Sequence, residues 1–412
     1  MSSLRILRQE KPYCRLLLAG LINGIGDRFS QVAVLGLLLS LTGSGLAIGI
    51  NFAVRLFPYL IFGPFGGLLA DRFPKKTVMI FTDLIRCMFA LIPLLVHEPD
   101  DVWIIYVSSF ALSAGEALYA PARMSLIPRL VHRDNLLAVN SLEQAMIGLV
   151  LICGSVTGGI VAATIGSDAA FVLNSLSFLI SGLLLIRLKN TGLSAATPPD
   201  TIVSPAAASA LSRSERWNDC KRFLSESFFL RIMLVAFALW PIGSGIFNIL
   251  ISVYASEVFK MGDIGIGLLY GALGAGMLTG SSLAGKMSGH MRTAAIAAMV
   301  LEGIIQTIIS QTPSFLLLML LLSLSAIIIS IGNACNETVL MQLIPAAWQG
   351  RFFGGLATLE NAVMGATMFF GGLLLEVMSP RSLGFAAGLL VTVLGLSLYL
   401  IWYRHNRKVS TE

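Results

Sequence analysis

Long apolar segments, separated by short charged or turn-rich stretches, recur from one end of the sequence to the other. A membrane core of ~30 Å needs roughly 20 apolar residues per helix, and the segments are of about that length. They do not alternate apolar and polar residues, as the strands of an outer-membrane barrel would. The pattern therefore predicts an all-α membrane protein with twelve transmembrane helices. The predicted spans are residues 14–41, 46–70, 77–96, 102–126, 136–165, 169–188, 228–254, 264–284, 293–310, 315–343, 352–378 and 383–403.

The composition agrees with a chain that lies mostly in lipid. Of the 412 residues, 56% are hydrophobic and 12% are charged, whereas soluble domains carry roughly 25% charged residues. The five cysteines show no CxxC spacing and predict neither a disulfide framework nor a metal site. The sequence has no Walker A motif and no GxGxxG motif after a strand, so we expect no ATP hydrolysis, no cofactor and no enzymatic activity.

The basic residues fall on one side of the predicted membrane. Because Lys and Arg favour cytoplasmic loops, we predict that both termini are cytoplasmic and that the protein lies in a bacterial inner membrane. The net charge of +6 then reflects orientation rather than a nucleic-acid partner. The loops of the first side carry Arg5, Arg8, Lys11, Arg72, Lys75, Lys76, Arg129, Arg133, Lys189, Arg213, Arg216, Lys221, Arg222, Lys286, Arg292, Arg351, Arg404, Arg407 and Lys408, and those of the other side carry Lys260 and Arg381.

A polar interruption at residues 189–226 predicts two domains, residues 1–188 and 227–412, each a bundle of six helices. The first part of the interruption is rich in Ala, Ser, Thr and Pro, which is typical of a flexible linker. The second part places Trp217, Cys220 and Leu224 at helical spacing beside several cations. This spacing predicts a short amphipathic helix on the inner membrane surface, with a plain solvated linker as the alternative.

The two predicted bundles share an internal repeat. Residues 113–128 and 330–345 match in register at Ser, Gly, Ala, Met, Leu, Ile and Pro positions, with an offset of 217 residues. The same offset places Glu143 on Glu360 and Gly148 on Gly365. Because six helices separate the two copies, the repeat is parallel, related by an axis along the membrane normal. Such a repeat indicates a transporter that works by alternating access.

The loop between the second and third spans reads GGLLADRFPKKTV. It resembles the signature of the major facilitator superfamily, and the resemblance covers essentially the whole chain. Other segments are similar to the drug-efflux branch that contains macrolide-efflux proteins and the enterobactin exporter. A glycine run at residues 154–159 resembles the antiporter signature of helix 5 but has serine where that signature has proline. The signature positions, which the resemblance assigns to gating, are Gly67, Leu69, Ala70, Asp71, Arg72 and Lys76.

The physical chemistry of this loop supports a gate. Gly67 permits close helix packing, and Asp71 can accept hydrogen bonds from the positive N-terminus of a helix in the other half. Breaking that contact would allow the two halves to separate on the cytoplasmic side and so open the gate.

Polar and charged residues within the spans give the candidate cavity. A charge in the bilayer costs about 2.5–3.5 kcal/mol on insertion scales and usually faces an interior cavity. The resemblance places helices 1, 4, 7 and 10 around that cavity. Asp27 and Glu116 are then the candidates for proton coupling. The candidate substrate contacts are Asn23, Gln31, Arg28, Arg55, Tyr119, Ser244, Asn248, Ser252, Asn333 and Glu337.

Five further ionisable side chains within the spans raise the question of their charge partners. Arg28 and Arg55 either neutralise these acids or bind an anionic substrate. Asp83 and Arg86, one turn apart, predict a local ion pair, and Glu302 has no obvious partner.

These features predict a secondary active transporter that exports small amphipathic molecules, such as a drug, an antibiotic or a siderophore, by proton antiport. A carboxyl group in a partly dehydrated cavity binds a proton more readily than in water, although sodium is an alternative coupling ion. The expected partners are the small-molecule substrate, protons and the lipid bilayer, and we expect a monomer. The alternatives are a lysophospholipid flippase or importer of the same fold, and a membrane sensor that does not transport.

Overall fold

The structure is a computed structural model that describes residues 10–42, 45–154, 157, 161, 165–188, 228–346 and 348–409. The predicted linker with its amphipathic helix lies outside the described residues. So do four positions of the glycine run, namely Ser155, Val156, Gly158 and Gly159.

Twelve helices in the described part of the chain are long and apolar enough to cross a membrane, and this part contains no strand. The prediction of an all-α, twelve-helix membrane protein is therefore confirmed. The helices are α1 (Lys11–Thr42), α2 (Gly45–Arg72), α3 (Lys75–Phe89), α4 (Val102–Leu130), α5 (Leu136–Leu149), α6 (Ser167–Ile186), α7 (Phe228–Val253), α8 (Gly262–Ala284), α9 (Met291–Ser310), α10 (Phe315–Leu343), α11 (Gln349–Leu375) and α12 (Pro380–Val409).

In three of the spans the α-helix gives way to another helical geometry. The third span continues past α3 as a 3₁₀ turn at Ile92–Leu95, where Pro93 lacks the amide hydrogen that an α-helix needs. The α5 helix continues as a π-helical turn at Val150–Gly154, and α7 as one at Tyr254–Val258. Apolar runs predict that a segment crosses the membrane, but they do not distinguish α from π or 3₁₀ geometry.

The two halves use the same helix pairings, which confirms two pseudo-symmetric six-helix bundles. In the first half α1 packs on α6, α2 on α4, and α3 on α4 and α6. In the second half α7 packs on α12, α8 on α10, and α9 on α10 and α12. The halves meet through two sets of matching pairs: α2 with α11 and α5 with α8, and α4 with α11 and α5 with α10. In many transporters built from two such repeats, the substrate site lies at the interface between the repeats.

One end of the bundle carries most of the basic residues that the structure describes, and we call it the basic end. The first helix starts and the last helix finishes there, and Lys75, Arg129 and Arg351 lie at helix ends on the same side. The α2 helix ends at the basic end and α11 begins there, so the signature loop lies beside the N-terminus of α11.

Candidate functional site

Asp71 joins the two halves at the basic end. It lies in the last turn of α2, where its Oδ1 accepts a hydrogen bond from the Gly350 amide at 3.1 Å. Its Oδ2 accepts one from the Arg351 amide at 3.3 Å and lies 3.2 Å from the Arg351 Nε. These amides belong to the first turn of α11, where unpaired N–H groups and the helix dipole favour a carboxylate. With its side chain only 6% exposed, Asp71 forms a contact largely protected from water.

Glycine allows α2 and α11 to approach backbone to backbone beside Asp71. A Cβ atom built on Gly67 would lie 2.7 Å from both the Gly350 carbonyl oxygen and the Arg351 Cα. One turn further on, a Cβ on Gly354 would lie 2.7 Å from the Gly63 carbonyl oxygen. Real Cβ atoms do not come that close, so any side chain at these positions would separate the helices. We call Gly63, Gly67, Asp71, Gly350 and Gly354 the clamp.

The two basic signature residues, Arg72 and Lys76, do not belong to the clamp. Arg72 is exposed. Lys76 donates hydrogen bonds to the carbonyl oxygens of Ile186 and Leu188 at 2.8 and 2.7 Å, and so binds the C-terminus of α6 within the same half. Among these signature residues, Gly67 and Asp71 contact the second half in the structure, whereas Arg72 and Lys76 do not.

On α1, Asp27 and its neighbours form one hydrogen-bonded group. The Asp27 carboxylate pairs with Arg55 of α2 at 3.1 Å and accepts a hydrogen bond from Gln31 at 2.9 Å. Arg28 donates to the Oε1 of Gln31 at 3.0 Å. The side chains of Asp27 and Arg55 are each 19% exposed, so the pair is only partly covered by the protein. Arg55 is thus paired with Asp27 in this structure.

We expect Arg55→Ala to destabilise the protein by about 1–3 kcal/mol, between the values typical of exposed and buried ion pairs. The physical reason is that Asp27 would lose its ion pair while its Oδ1, buried without a hydrogen-bond partner, gains none. Purified yield and melting temperature measure the effect, and a second change, Asp27→Asn, should restore both. Arg133→Ala, at an exposed position, is the control. Normal yield of Arg55→Ala together with weakened substrate binding would support the anion-binding role instead.

Glu116 is also paired with arginine, and the predicted pairing of Asp83 with Arg86 is wrong. Arg86 lies 2.7 Å from the Glu116 carboxylate and 4.2 Å above the ring of Phe178, with only 2% of its side chain exposed. Sequence spacing suggested the neighbour on the same helix, but α4 and α6 offer closer partners.

Asp83 is satisfied by other helices. It accepts hydrogen bonds from Asn23 of α1 at 3.2 Å and from Ser181 of α6 at 2.7 Å. Asn23 is 5% exposed, so the structure places it in a helix–helix contact and not on an open cavity. Tyr119, with 3% exposed, is likewise buried, with Arg86 6.0 Å from its ring centroid.

Ser244, Asn248 and Ser252 are spaced four residues apart on α7 and therefore lie along one face of the helix. Ser244 donates to the carbonyl oxygen of Trp240 on its own helix at 3.3 Å. Asn248 is exposed, and Ser252 is half-buried near the end of the helix.

Asn333 and Glu337 of α10, in contrast, line a cavity of about 120 Å³ enclosed by α7, α9, α10, α11 and α12. We call it the second-half cavity. Its lining includes three glutamates and none of the Lys, Arg or His residues that the structure describes. The residues that line it are Ile232, Met233, Ala236, Phe237, Trp240, Ala295, Ile296, Ala298, Met299, Glu302, Ile329, Gly332, Asn333, Asn336, Glu337, Glu360 and Leu398.

Glu302 has partners that the sequence did not reveal. It accepts hydrogen bonds from the indole N–H of Trp240 at 2.6 Å and from Gln306 at 2.8 Å, and it is 3% exposed. The sequence alone offered no obvious partner for this acid on α9. The contact with Gln306, one turn away, was readable from spacing, whereas Trp240 lies on another helix.

The repeat places the same acid in two different environments. In the first half Glu143 pairs with Arg123 at 2.5 Å and accepts a hydrogen bond from Tyr13 at 2.9 Å. Its counterpart Glu360 lines the second-half cavity. The position equivalent to Arg123 is Leu340, so the second half lacks the arginine that neutralises the acid in the first.

Comparison with known proteins agrees with the fold. The sequence model of the Major Facilitator Superfamily matches residues 16–363. The chain is 27% identical to the uncharacterized MFS-type transporter YfiS of Bacillus subtilis over 184 residues, which are 44% of this chain and 43% of the relative. It is 24% identical to macrolide efflux protein A of Streptococcus pyogenes over 175 residues, 42% of this chain and 43% of the relative.

A third relative is the lysophospholipid transporter LplT of Photorhabdus laumondii, 31% identical over 106 residues, 26% of this chain and 25% of the relative. The matched region thus spans less than half the length of each of these relatives.

Two solved transporters have the same fold over nearly all of their length. The human organic anion transporter MFSD10 superposes with a TM-score of 0.73 and 16% identity, covering 94% of this chain and 99% of the neighbour. A bacterial homologue of the iron transporter ferroportin, in an outward-facing state with soaked iron, gives a TM-score of 0.72 and 16% identity, covering 94% and 98%. Identities this low show the fold alone.

Proposed function

This chain belongs to the Major Facilitator Superfamily, and from that premise we propose that it exports small amphipathic molecules by proton antiport and alternating access. Family and fold together indicate a membrane transporter of small molecules rather than an enzyme. The similarity of part of the chain to macrolide efflux protein A supports export. The substrate would be a drug, an antibiotic or a siderophore.

The clamp is the observation that carries alternating access. A carboxylate on α2 is held by the first amides of α11, so the two halves are tied at one end by a few contacts that can break together. We place the basic end in the cytoplasm, because Lys and Arg favour that side. The clamp then closes the cytoplasmic entrance, and its release would open the cavity to substrate from inside the cell.

Proton coupling requires an acid that changes its charge during the cycle. Asp27 and Glu116 remain the proposed carriers, and each is paired with an arginine, at 3.1 and 2.7 Å. A proton arriving at either carboxylate weakens its ion pair and frees the arginine. Proton occupancy can thus be coupled to the packing of α1 on α2, or of α3 on α4.

We expect Asp27→Asn or Glu116→Gln, whichever acid is the carrier, to abolish transport driven by a pH gradient while downhill exchange continues. An amide keeps the size of the side chain but binds no proton near neutral pH, so the pH gradient can no longer drive transport. Downhill exchange continues, because it requires only that the two halves move and bind substrate. Erythromycin uptake into inverted vesicles, with and without an imposed pH gradient, measures both activities. Uphill transport at the wild-type rate in both single variants would show that neither acid carries the coupling proton.

A lysophospholipid transporter is the second candidate, favoured by 31% identity to LplT over 106 residues. Spin-labelled lysophosphatidylethanolamine in the same vesicles distinguishes the candidates. Movement of this lipid between leaflets, without erythromycin transport, would favour the second function.

A further inference from the structure

The second-half cavity contains more acid than its surroundings neutralise. Glu337 accepts one long hydrogen bond, from Gln144 at 3.4 Å, and its other oxygen is buried without a hydrogen-bond partner. Glu360 forms no hydrogen bond or ion pair with any residue that the structure describes. Buried carboxylates need a cation or a full set of donors. Only Glu302 has its donors, from Trp240 and Gln306.

The first half shows what is missing. At the position equivalent to Glu360, Glu143 is held by the Arg123 guanidinium and the Tyr13 hydroxyl. In the second half leucine replaces Arg123, and Glu360 faces the second-half cavity with no arginine at the equivalent position. A positively charged ligand would neutralise the acids of the second half, as Arg123 neutralises Glu143 in the first.

The remaining walls are suited to the apolar body of an organic ligand rather than to a bare ion. Phe237, Met233, Met299 and the Trp240 indole line the cavity. Aromatic rings attract organic cations, and methionine side chains adapt to irregular apolar shapes. A pocket with mostly apolar walls and a few polar groups is the usual form of a small-molecule site.

We propose that the second-half cavity binds an organic cation, an amine or quaternary ammonium on an apolar body, with Glu337 and Glu360 as its counter-ions. The inference rests on the proposed function, because it names a substrate class for the same transporter. It places the charged part of that substrate between α10 and α11, outside the Asp27 and Glu116 groups.

The same site contacts the other half of the protein. Gln144, which donates to Glu337, belongs to α5 of the first half, and Asn140 on α5 donates to Thr338 of α10 at 2.9 Å. The charged groups facing Glu337 are Glu360 in its own half and Glu143 with Arg123 across the interface. A cation at Glu337 would therefore change the contact between α5 and α10, which links occupancy to the relative position of the halves.

Equilibrium binding of radiolabelled benzyltrimethylammonium to the purified full chain in detergent tests the site. Unlabelled benzyltrimethylammonium should displace the label, whereas neopentylbenzene, its uncharged carbon isostere, should not. We expect Glu337→Gln and Glu360→Gln each to weaken binding at least tenfold. Ala236→Leu, which fills the cavity without changing its charge, should weaken binding similarly. Glu376→Gln, which removes an exposed acid directly after α11 in the same half of the chain, is the matched control and should bind as the wild type does.

The outcomes separate this inference from the proposed function, because binding is measured without transport. Binding that depends on Glu337, Glu360 and Ala236 supports the site even if no export is found. Saturable binding that survives all three changes, equal displacement by neopentylbenzene, or no binding by the wild type would each overturn it. Ala236→Leu leaves both acids in place, so it still tests whether the cavity is the binding site if one of the glutamine variants fails to fold.

Discussion

Replacing Asp71 by Asn is expected to reduce transport at least tenfold with little loss of expression. The amide cannot balance the Arg351 guanidinium, and its nitrogen has no acceptor among the α11 amides that Asp71 binds. A hydrogen bond to a charged group contributes about 1.5–3 kcal/mol, and a change of 1–3 kcal/mol shifts a two-state equilibrium by about 5–150-fold. Erythromycin transport in inverted vesicles measures the loss.

Two variants make the Asp71 experiment specific. Asp134→Asn removes one acid from the same end of the protein at a position 91% exposed, so it should transport normally. Gly67→Val keeps Asp71 but separates α2 from α11, so it should fail as Asp71→Asn does. If Asp71→Asn transports at the wild-type rate, the clamp does not control the cycle.

The second large effect is expected in Arg123→Leu, which gives the first half the residue found at the equivalent position of the second. Glu143 would lose its 2.5 Å ion pair while remaining 4% exposed. Removing one partner of a buried pair typically costs about 3–5 kcal/mol. We therefore expect low yield and a clearly lower melting temperature.

Adding Glu143→Gln should restore much of that stability, because the amide oxygen can still accept the Tyr13 hydrogen bond and no unpaired charge remains. Arg133→Leu, at an exposed position, is the control for loss of an arginine. An unchanged melting temperature in Arg123→Leu would mean that the first half does not depend on this pair. It would also weaken the contrast drawn with the second-half cavity.

The sequence predicted what depends on local pattern. Apolar runs gave the twelve helices, and the signature loop predicted that Asp71 would meet a helix N-terminus of the other half, where the structure has the first amides of α11. Both follow from a period or a motif that a single segment contains.

The partners of buried charges were not predictable in the same way. Arg86 pairs with Glu116 rather than with Asp83, and Glu302 with Trp240, because helix packing decides which of several polar groups comes within reach. The repeat did contain a usable signal, since it aligns Arg123 with Leu340. The acidic cavity itself could not be predicted from this signal, because its lining comes from five helices that are brought together only in the folded protein.

Accumulation of radiolabelled erythromycin in cells that overproduce the protein tests proton-driven export most directly. The steady-state level should be lower in cells with the wild-type protein than in cells with Asp71→Asn, and a protonophore should remove the difference. A sodium ionophore should not. Equal accumulation in wild-type and Asp71→Asn cells, or a difference that persists with the protonophore, would contradict export of such a molecule by proton antiport.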